Sequence, residues 1–413
     1  MDYIPWIIIG GASAIGFYMA WSIGANDVAN SMATAVGAKA ITFKQAVIIA
    51  GILNFIGAVF VGSHVTETVK KGIIHVDTIP SHVLLLGFIA SLLAAAIWVT
   101  LSTWKEMPIS TTHSVIGALI GFGIIAAGVT SVNWGKVGFV AASWVLSPVF
   151  GCILAFIVFK IIVKTIFAKE NPVKSAKIVG PIVIGLTAFL IVSSLLLKTS
   201  ICDCIGVAGD YYKIILISFV ISVIVIFIAI YLLKDIEAKC VEDYATVEGI
   251  FRKLQVVTSC YVAFAHGAND VANAIGPVAA IVPLSQGISI TSEVEVPVYL
   301  LALGGIGISI GCLTWGRRVM KTVGSRITSL TNTRGFSVDF GAATTVLIAS
   351  KLGLPISTSH TVVGAVIGVG LARGLEAVDL SIIKKIIVSW ILTLPIAAGT
   401  SIVIFLILRG IIG

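Results

Sequence analysis

Apolar runs long enough to cross about 30 Å of hydrocarbon recur along the whole chain, and that recurrence limits the fold before any motif is read. They can be placed at roughly 4–23, 45–63, 83–104, 109–128, 137–160, 178–197, 213–233, 250–265, 297–312, 336–350, 355–372 and 387–408, about twelve in all. Inside lipid no water bonds the backbone, so each crossing run satisfies its own N–H and C=O groups as a helix. Composition agrees: 58% of residues are hydrophobic, 11% are charged, and mean hydropathy is +1.10. A water-soluble chain carries roughly a quarter charged residues. Soluble, fibrous and disordered folds are therefore excluded, and no large soluble enzymatic domain fits between the runs. The expected fold is an all-α integral membrane protein. The runs at 336–350 and 355–372 are short or Gly-rich and fit the arms of a re-entrant hairpin with its tip at Gly353-Leu354-Pro355; 83–104 and 109–128 fit the same form.

The net charge is +8, from 27 Lys and Arg against 19 Asp and Glu. In a membrane protein an excess of Lys and Arg marks the cytoplasmic loops. With the N-terminus outside and sides alternating, Lys70, Lys71, Lys136, Lys198, Lys213, Lys351 and Arg409 fall on one face, and the remaining twenty of the 27 fall on the other. The richer face is read as cytoplasmic, which puts both termini outside a plasma membrane that the chain crosses many times. The 285–297 loop, whose only charges are Glu293 and Glu295, then also lies outside. The opening Met-Asp-Tyr-Ile-Pro-Trp lacks a basic n-region, so the first apolar run is read as a membrane segment, not a cleaved leader. The scattered charges form no basic stripe, and nucleic acid is not expected as a partner. Among six cysteines only Cys202 and Cys204 are close, in a Cys-Asp-Cys that matches no zinc-ligand spacing. No cofactor is read from the sequence.

Two stretches occur twice. Gly-Ala-Asn-Asp-Val-Ala-Asn at 24–30 recurs identically at 267–273, and 108–123 recurs at 355–370 with eleven of sixteen residues identical. The offsets, 243 and 247, belong to one duplicated unit. The chain divides into a first repeat at 1–165, a linking part with two segments at 166–250, and a second repeat at 251–413. With five segments per repeat and two between, the second repeat enters the membrane from the opposite side, so the repeats are inverted. Counting a segment pair as a re-entrant hairpin leaves the parity odd. Inverted repeats are the architecture of secondary transporters, which bind their cargo near the midplane.

The repeated residues carry the chemistry. Asp27 and Asp270 lie in apolar surroundings, flanked by Asn26 and Asn30 and by Asn269 and Asn273. A carboxylate within the membrane costs several kcal/mol and is by default functional. Positions three apart share a helix face, so Asp27 with Asn30, and Asp270 with Asn273, aim hard oxygen ligands at one spot. That donor set suits a small hard cation, and the preceding Gly24 and Gly267 are expected to break the helix and free carbonyls for it. The competing reading makes the Asn and Asp mere helix caps. Ser110-Thr111-Thr112 and Ser357-Thr358-Ser359 each follow a Pro and open a Gly-punctuated run. Pro sits well at a helix start, where free N–H groups, hydroxyls and the helix dipole make an anion site. Single Ser or Thr residues in membranes commonly bond back to their own helix, but here a triple occurs twice. Neither motif contains Lys or Arg, so an anion beside two carboxylates needs intervening cations, sodium or protons. Like charges about 4 Å apart repel by about 4 kcal/mol at an effective dielectric of 20.

The two Gly-Ala-Asn-Asp-Val-Ala-Asn stretches and the two Pro-Ile-Ser-Thr-(Thr/Ser)-His stretches resemble the signatures of the inorganic phosphate transporter (PiT) family over nearly the whole chain. The resemblance implies a sodium-coupled symporter of inorganic phosphate, a homodimer in the lipid bilayer, and no enzyme. It implies phosphate ligands at Ser110, Thr111, Thr112, Ser357, Thr358, Ser359, Asn30 and Asn273, and sodium ligands at Asn26, Asp27, Asn269 and Asp270. The short charged connection at 234–250 resembles microbial members, since animal members carry a long hydrophilic loop there. Those members also have an acidic residue in the second segment, where this chain has Asn54; the matching position in the second half is read as Asp339. Proton-driven and metal–phosphate transporters are similar in sequence.

Other candidates carry bland readings beside sharp ones. His113 and His360 are able to donate to phosphate or shuttle protons, but a structural histidine one turn into a helix serves equally; with Asp339 they are placed behind the direct ligands. His266 stands where the first motif has Ile23, which argues against a symmetric role. Glu67 with Lys70 and Lys71 reads as an exposed segment end or part of an ion path, and Arg317 and Arg318 as a cytoplasmic anchor. A passive anion channel reuses the same helix starts, although buried Asp obstructs it. A phosphate-processing enzyme lacks a nucleophile–base pair beyond the two histidines.

Overall fold

A computed structural model describes residues 4–70, 73–198, 210–238, 243–288, 296–351 and 356–412. The first half holds helices α1 (Ile4–Gly37), α2 (Phe43–Lys70), α3 (Ser81–Trp104), α4 (Thr111–Ala127) and α5 (Trp134–Ile162). Helices α6 (Pro172–Lys198) and α7 (Tyr211–Leu233) follow. The second half holds α8 (Tyr244–Ser285), α9 (Val298–Trp315), the short α10 (Arg317–Lys321), α11 (Asn332–Lys351), α12 (Thr358–Arg373) and α13 (Leu380–Ile412). Among the described residues the only strand-like pairing is an isolated bridge between Ile74 and Val132. The chain is all-helical.

Each apolar run of the sequence falls on a helix, and eight of the helices are long and apolar enough to cross a membrane. The arms α4 and α12, at 17 and 16 residues, reach only about 25 Å at 1.5 Å per residue. The expected hairpin tip at Gly353-Leu354-Pro355, the side chain of Glu67, and Cys202 and Cys204 lie outside the described residues.

Two expectations are corrected by the helices themselves. The chain does not break at Gly24 or Gly267: α1 and α8 run through both repeated motifs as continuous helix. The glycines serve close approach instead. A Cβ on Gly24 would lie 1.9 Å from the Ile308 carbonyl oxygen on α9, and one on Gly267 would lie 2.2 Å from the Asn54 carbonyl oxygen on α2. Small residues let membrane helices meet backbone to backbone, where dispersion rather than water release drives association. The same crossings correct the pairing of Asn54 with Asp339. Asn54 occupies on α2 the place that Ile308 holds on α9, whereas Asp339 lies on α11.

Packing is reciprocal between the halves. Helix α1 lies on α9 and α8 on α2; α4 lies on α13 and α12 on α5; α3 touches α1 and α4, as α11 touches α8 and α12. Their shared core is built from small residues such as Ala94, Ala95, Ala96 and Ala118. Helices α6 and α7 pack mainly on each other, and α7 leaves Phe219, Ile224 and Phe227 exposed, a surface suited to lipid.

Candidate functional site

The two repeated acidic motifs and the two hydroxyl-bearing helix starts converge in the interior. Ser110 and Ser357 each cap a helix. Their Oγ atoms accept from the backbone N–H of His113 at 3.2 Å and of His360 at 3.3 Å. That uses a lone pair and leaves each hydroxyl proton free to donate. The first N–H groups of α4 and α12 have no intrahelical acceptor, so each start presents donors along its axis.

Asp27, fully buried, lies at the centre. Its Oδ1 accepts from Asn30 Nδ2 at 2.9 Å and from Ser359 Oγ at 3.0 Å, and its Oδ2 accepts from Thr111 Oγ1 at 2.9 Å. Asn30 also donates to Ser359 Oγ at 2.8 Å. In the other half Asn273 donates to Thr112 Oγ1 at 3.1 Å, Asn269 to Asp270 Oδ1 at 2.9 Å, and Thr358 Oγ1 to Asp270 Oδ2 at 3.5 Å. Each motif asparagine thus bonds the helix start of the opposite repeat, Asn30 to α12 and Asn273 to α4.

Asn26 does different work in this conformation. Its amide donates to Thr103 Oγ1 at 2.9 Å and to the Met107 carbonyl at 3.1 Å, and accepts from the Ile109 N–H at 3.2 Å. It pins the segment leading into α4. The half-buried Asn269 has no such contact among those described, so the two halves differ.

Sequence reasoning passed over His266, which sits in the middle of the site. Its Nε2 stands 2.8 Å from Asp270 Oδ2 and 3.8 Å from Asp27 Oδ2. Asn54 gives its amide to the Ala50 carbonyl at 2.7 Å, so its Oδ1 takes the proton of His266 Nδ1. A ring proton fixed at Nδ1 means that Nε2 meets the carboxylates well only as imidazolium. The three groups have ligand atoms within 4.8 Å of one another. Two carboxylates at that separation repel by about 3–4 kcal/mol at an effective dielectric of 20. Among the described residues His266 is the only cationic group paired with either. The signal available in the sequence was its spacing, four residues before Asp270 on one helix face.

His113 and His360 do not join this network. Their rings touch at 4.4 Å between centroids, and each stacks on a tryptophan at 3.7 Å, His113 on Trp144 and His360 on Trp390. They tie α4 to α12 just behind the two helix starts. Asp339 is separate too: it accepts from Thr34 Oγ1 at 2.7 Å and Ser259 Oγ at 2.6 Å. The anchor reading of the basic pair fits: Arg317 lies over the Phe43 ring and Arg318 over Trp315.

With this geometry described, comparison with known proteins has a definite meaning. The phosphate transporter family (PHO4) matches residues 23–401. The chain belongs to that family. A Thermococcus kodakarensis protein named as a phosphate permease is 52% identical over 405 residues, covering 98% of both chains. The chloroplastic inorganic phosphate transporter 2-1 of Arabidopsis thaliana is 40% identical, covering 94% of this chain and 70% of its own. A solved structure described as a sodium-dependent phosphate transporter superposes with a TM-score of 0.90 at 46% identity, over 98% of this chain and 100% of that one. The protein is a multi-pass membrane member of a transporter family, not an enzyme.

Proposed function

We propose that this protein is a symporter that moves inorganic phosphate with sodium across the plasma membrane by alternating access. The observation that carries the reading is the cross-wiring of the halves: Asn30 to Ser359 and Asn273 to Thr112. Phosphate held by the Ser110, Thr111, Thr112, Ser357, Thr358 and Ser359 hydroxyls, with Asn30 and Asn273, lies against donors from both repeats. Sodium held by Asp27 and Asp270, with the amides of Asn26 and Asn269, offsets the repulsion that an anion meets there. An arginine clamp would bind phosphate with no cation; carboxylates and amides make the two cargoes depend on each other.

The repeats at 1–165 and 251–413, inverted about the linking part at 166–250, are the units that move relative to one another. The reciprocal packing of α1 with α9 and α8 with α2 supports that symmetry. We further place both termini outside and the protein as a homodimer with no cofactor. A proton-coupled reading has one observation in its favour, the imidazole of His266 between the two carboxylates.

Uptake of labelled phosphate into proteoliposomes separates these readings. An inward sodium gradient is expected to drive accumulation, lost in Asp27→Asn and Thr358→Ala. Accumulation driven by a proton gradient alone would transfer the coupling role to His266. Equilibration that ignores both gradients would refute symport and favour a channel.

A further inference from the structure

Asp339 poses an electrostatic problem that the phosphate site does not solve. It is 1% exposed on α11, and its partners are hydroxyls alone: Thr34 at 2.7 Å, Ser259 at 2.6 Å and Thr258 at 3.4 Å. Among the described residues no Lys, Arg or His pairs with it. A carboxylate in the membrane interior without a counter-charge costs several kcal/mol, and hydroxyl dipoles offset only part of that.

The neighbouring side chains explain what would balance it. On α8, Glu248, Gln255 and Ser259 recur seven and then four residues apart, which places them along one helix face. Glu248 accepts from Thr333 Oγ1 at 2.7 Å and from the Thr333 N–H at 3.0 Å, both on α11. One turn from Asp339, the Gln255 amide lies where a side chain on Gly335 would be, 1.8 Å from a Cβ built there. Gln255 is completely buried, and neither its Nε2 nor its Oε1 has a hydrogen-bond partner. A buried primary amide with both ends unsatisfied is rare and calls for a ligand. A narrow crevice between α6, α8 and α11, lined by Thr187, Tyr261 and Thr344, reaches Asp339 from a third side.

We propose that Asp339, the hydroxyls of Thr34, Thr258 and Ser259, and the amide oxygen of Gln255 form a second binding site for a monovalent alkali cation, with sodium as its natural occupant. The donors are all hard oxygens, which suit sodium and not soft transition metals. One carboxylate matches one positive charge, whereas a divalent ion would leave an excess charge in apolar surroundings. Glu248 and Gln255 mark a polar seam along which the ion reaches Asp339. Thr34 lies on α1 seven residues after Asp27, about two turns along the same face, so an ion drawing on Thr34 fixes the helix that carries the central carboxylate. The use of this ion in transport rests on the symport reading; its binding does not.

The test is direct binding of radiolabelled sodium to the purified full-length protein, with choline as the balancing cation, for wild type, Asp339→Asn, Gln255→Leu and Asp27→Asn. Asp339→Asn is expected to lose one bound sodium per chain while the Asp27 site still fills. Gln255→Leu, which keeps the charge, is expected to raise half-saturating sodium at this site by about tenfold, one ligand's worth. Unchanged sodium stoichiometry in Asp339→Asn would overturn the proposal and leave a proton as the balancing charge. Should Asp339→Asn fail to elute as a folded species, an unaltered sodium titration in Gln255→Leu overturns it instead. Wild-type uptake that ignores sodium would refute symport, yet the binding assay would still read this site.

Discussion

Removing the Ser359 hydroxyl is expected to harm the protein more than removing the hydroxyl at its repeat equivalent, Thr112. Ser359 Oγ donates to the Asp27 carboxylate at 3.0 Å and accepts from Asn30 at 2.8 Å. Thr112 Oγ1 accepts a single bond, from the neutral amide of Asn273 at 3.1 Å. A hydrogen bond to a charged group contributes about 1.5–3 kcal/mol, a neutral one about 0.5–1.5 kcal/mol. Since 1.4 kcal/mol is tenfold, Ser359→Ala is predicted to weaken cargo binding by roughly 10- to 100-fold and Thr112→Ala by roughly 2- to 10-fold. Ser359→Thr restores the hydroxyl and is expected to stay close to wild type. The assay is equilibrium binding of phosphate at fixed sodium to purified protein, with sodium titrated in a parallel series. Equal losses in the two alanine variants, or a larger loss in Thr112→Ala, would refute the reasoning from charge.

Three further outcomes follow from particular contacts. Gly24→Ala and Gly267→Ala put a methyl group onto the facing backbone, and overpacking of this kind costs about 1–3 kcal/mol; thermal unfolding in detergent should fall by several degrees, and an unchanged midpoint contradicts the close-approach account. The Arg326–Glu106 ion pair at 2.6 Å is more than a third exposed on both sides, so Arg326→Ala should cost under about 1 kcal/mol, and less at high salt; a large, salt-independent loss of stability would contradict this. Asp379 lies before α13, where the Ser381 hydroxyl and the Ile382 N–H hold its carboxyl below the ordinary value of 3.8. A lowered carboxyl stabilises above its ordinary value and loses that contribution as pH falls through the lowered one. Asp379→Ala should therefore lower thermal stability at neutral pH, with the deficit closing below about pH 4; a deficit that persists in acid would remove the electrostatic explanation.

Hydropathy placed the helices because a lipid-facing backbone has no other way to bond itself, and duplication exposed the site because the two seven-residue motifs are identical. The Ser caps of α4 and α12 were equally legible from Pro followed by hydroxyl residues. The role of Gly24 was not. A helix break and a close helix crossing both require glycine, and the Ile308 carbonyl that decides between them is remote in the chain. His266 was hidden for a related reason. Comparing repeats favours positions that match, whereas His266 replaces Ile23 and supplies a charge to one half only. The partners of Asp339 come from α1 and α8, so no local pattern around it announced them.

The central claim is that phosphate and sodium need each other at the Asp27–Asp270 centre, and equilibrium phosphate binding in sodium against choline tests it most directly. Relief of a repulsion of about 3–4 kcal/mol corresponds to a loss of two orders of magnitude or more in phosphate affinity when sodium is withdrawn. Linkage requires phosphate to tighten sodium binding by the same factor. Equal phosphate affinity in sodium and in choline would contradict the account.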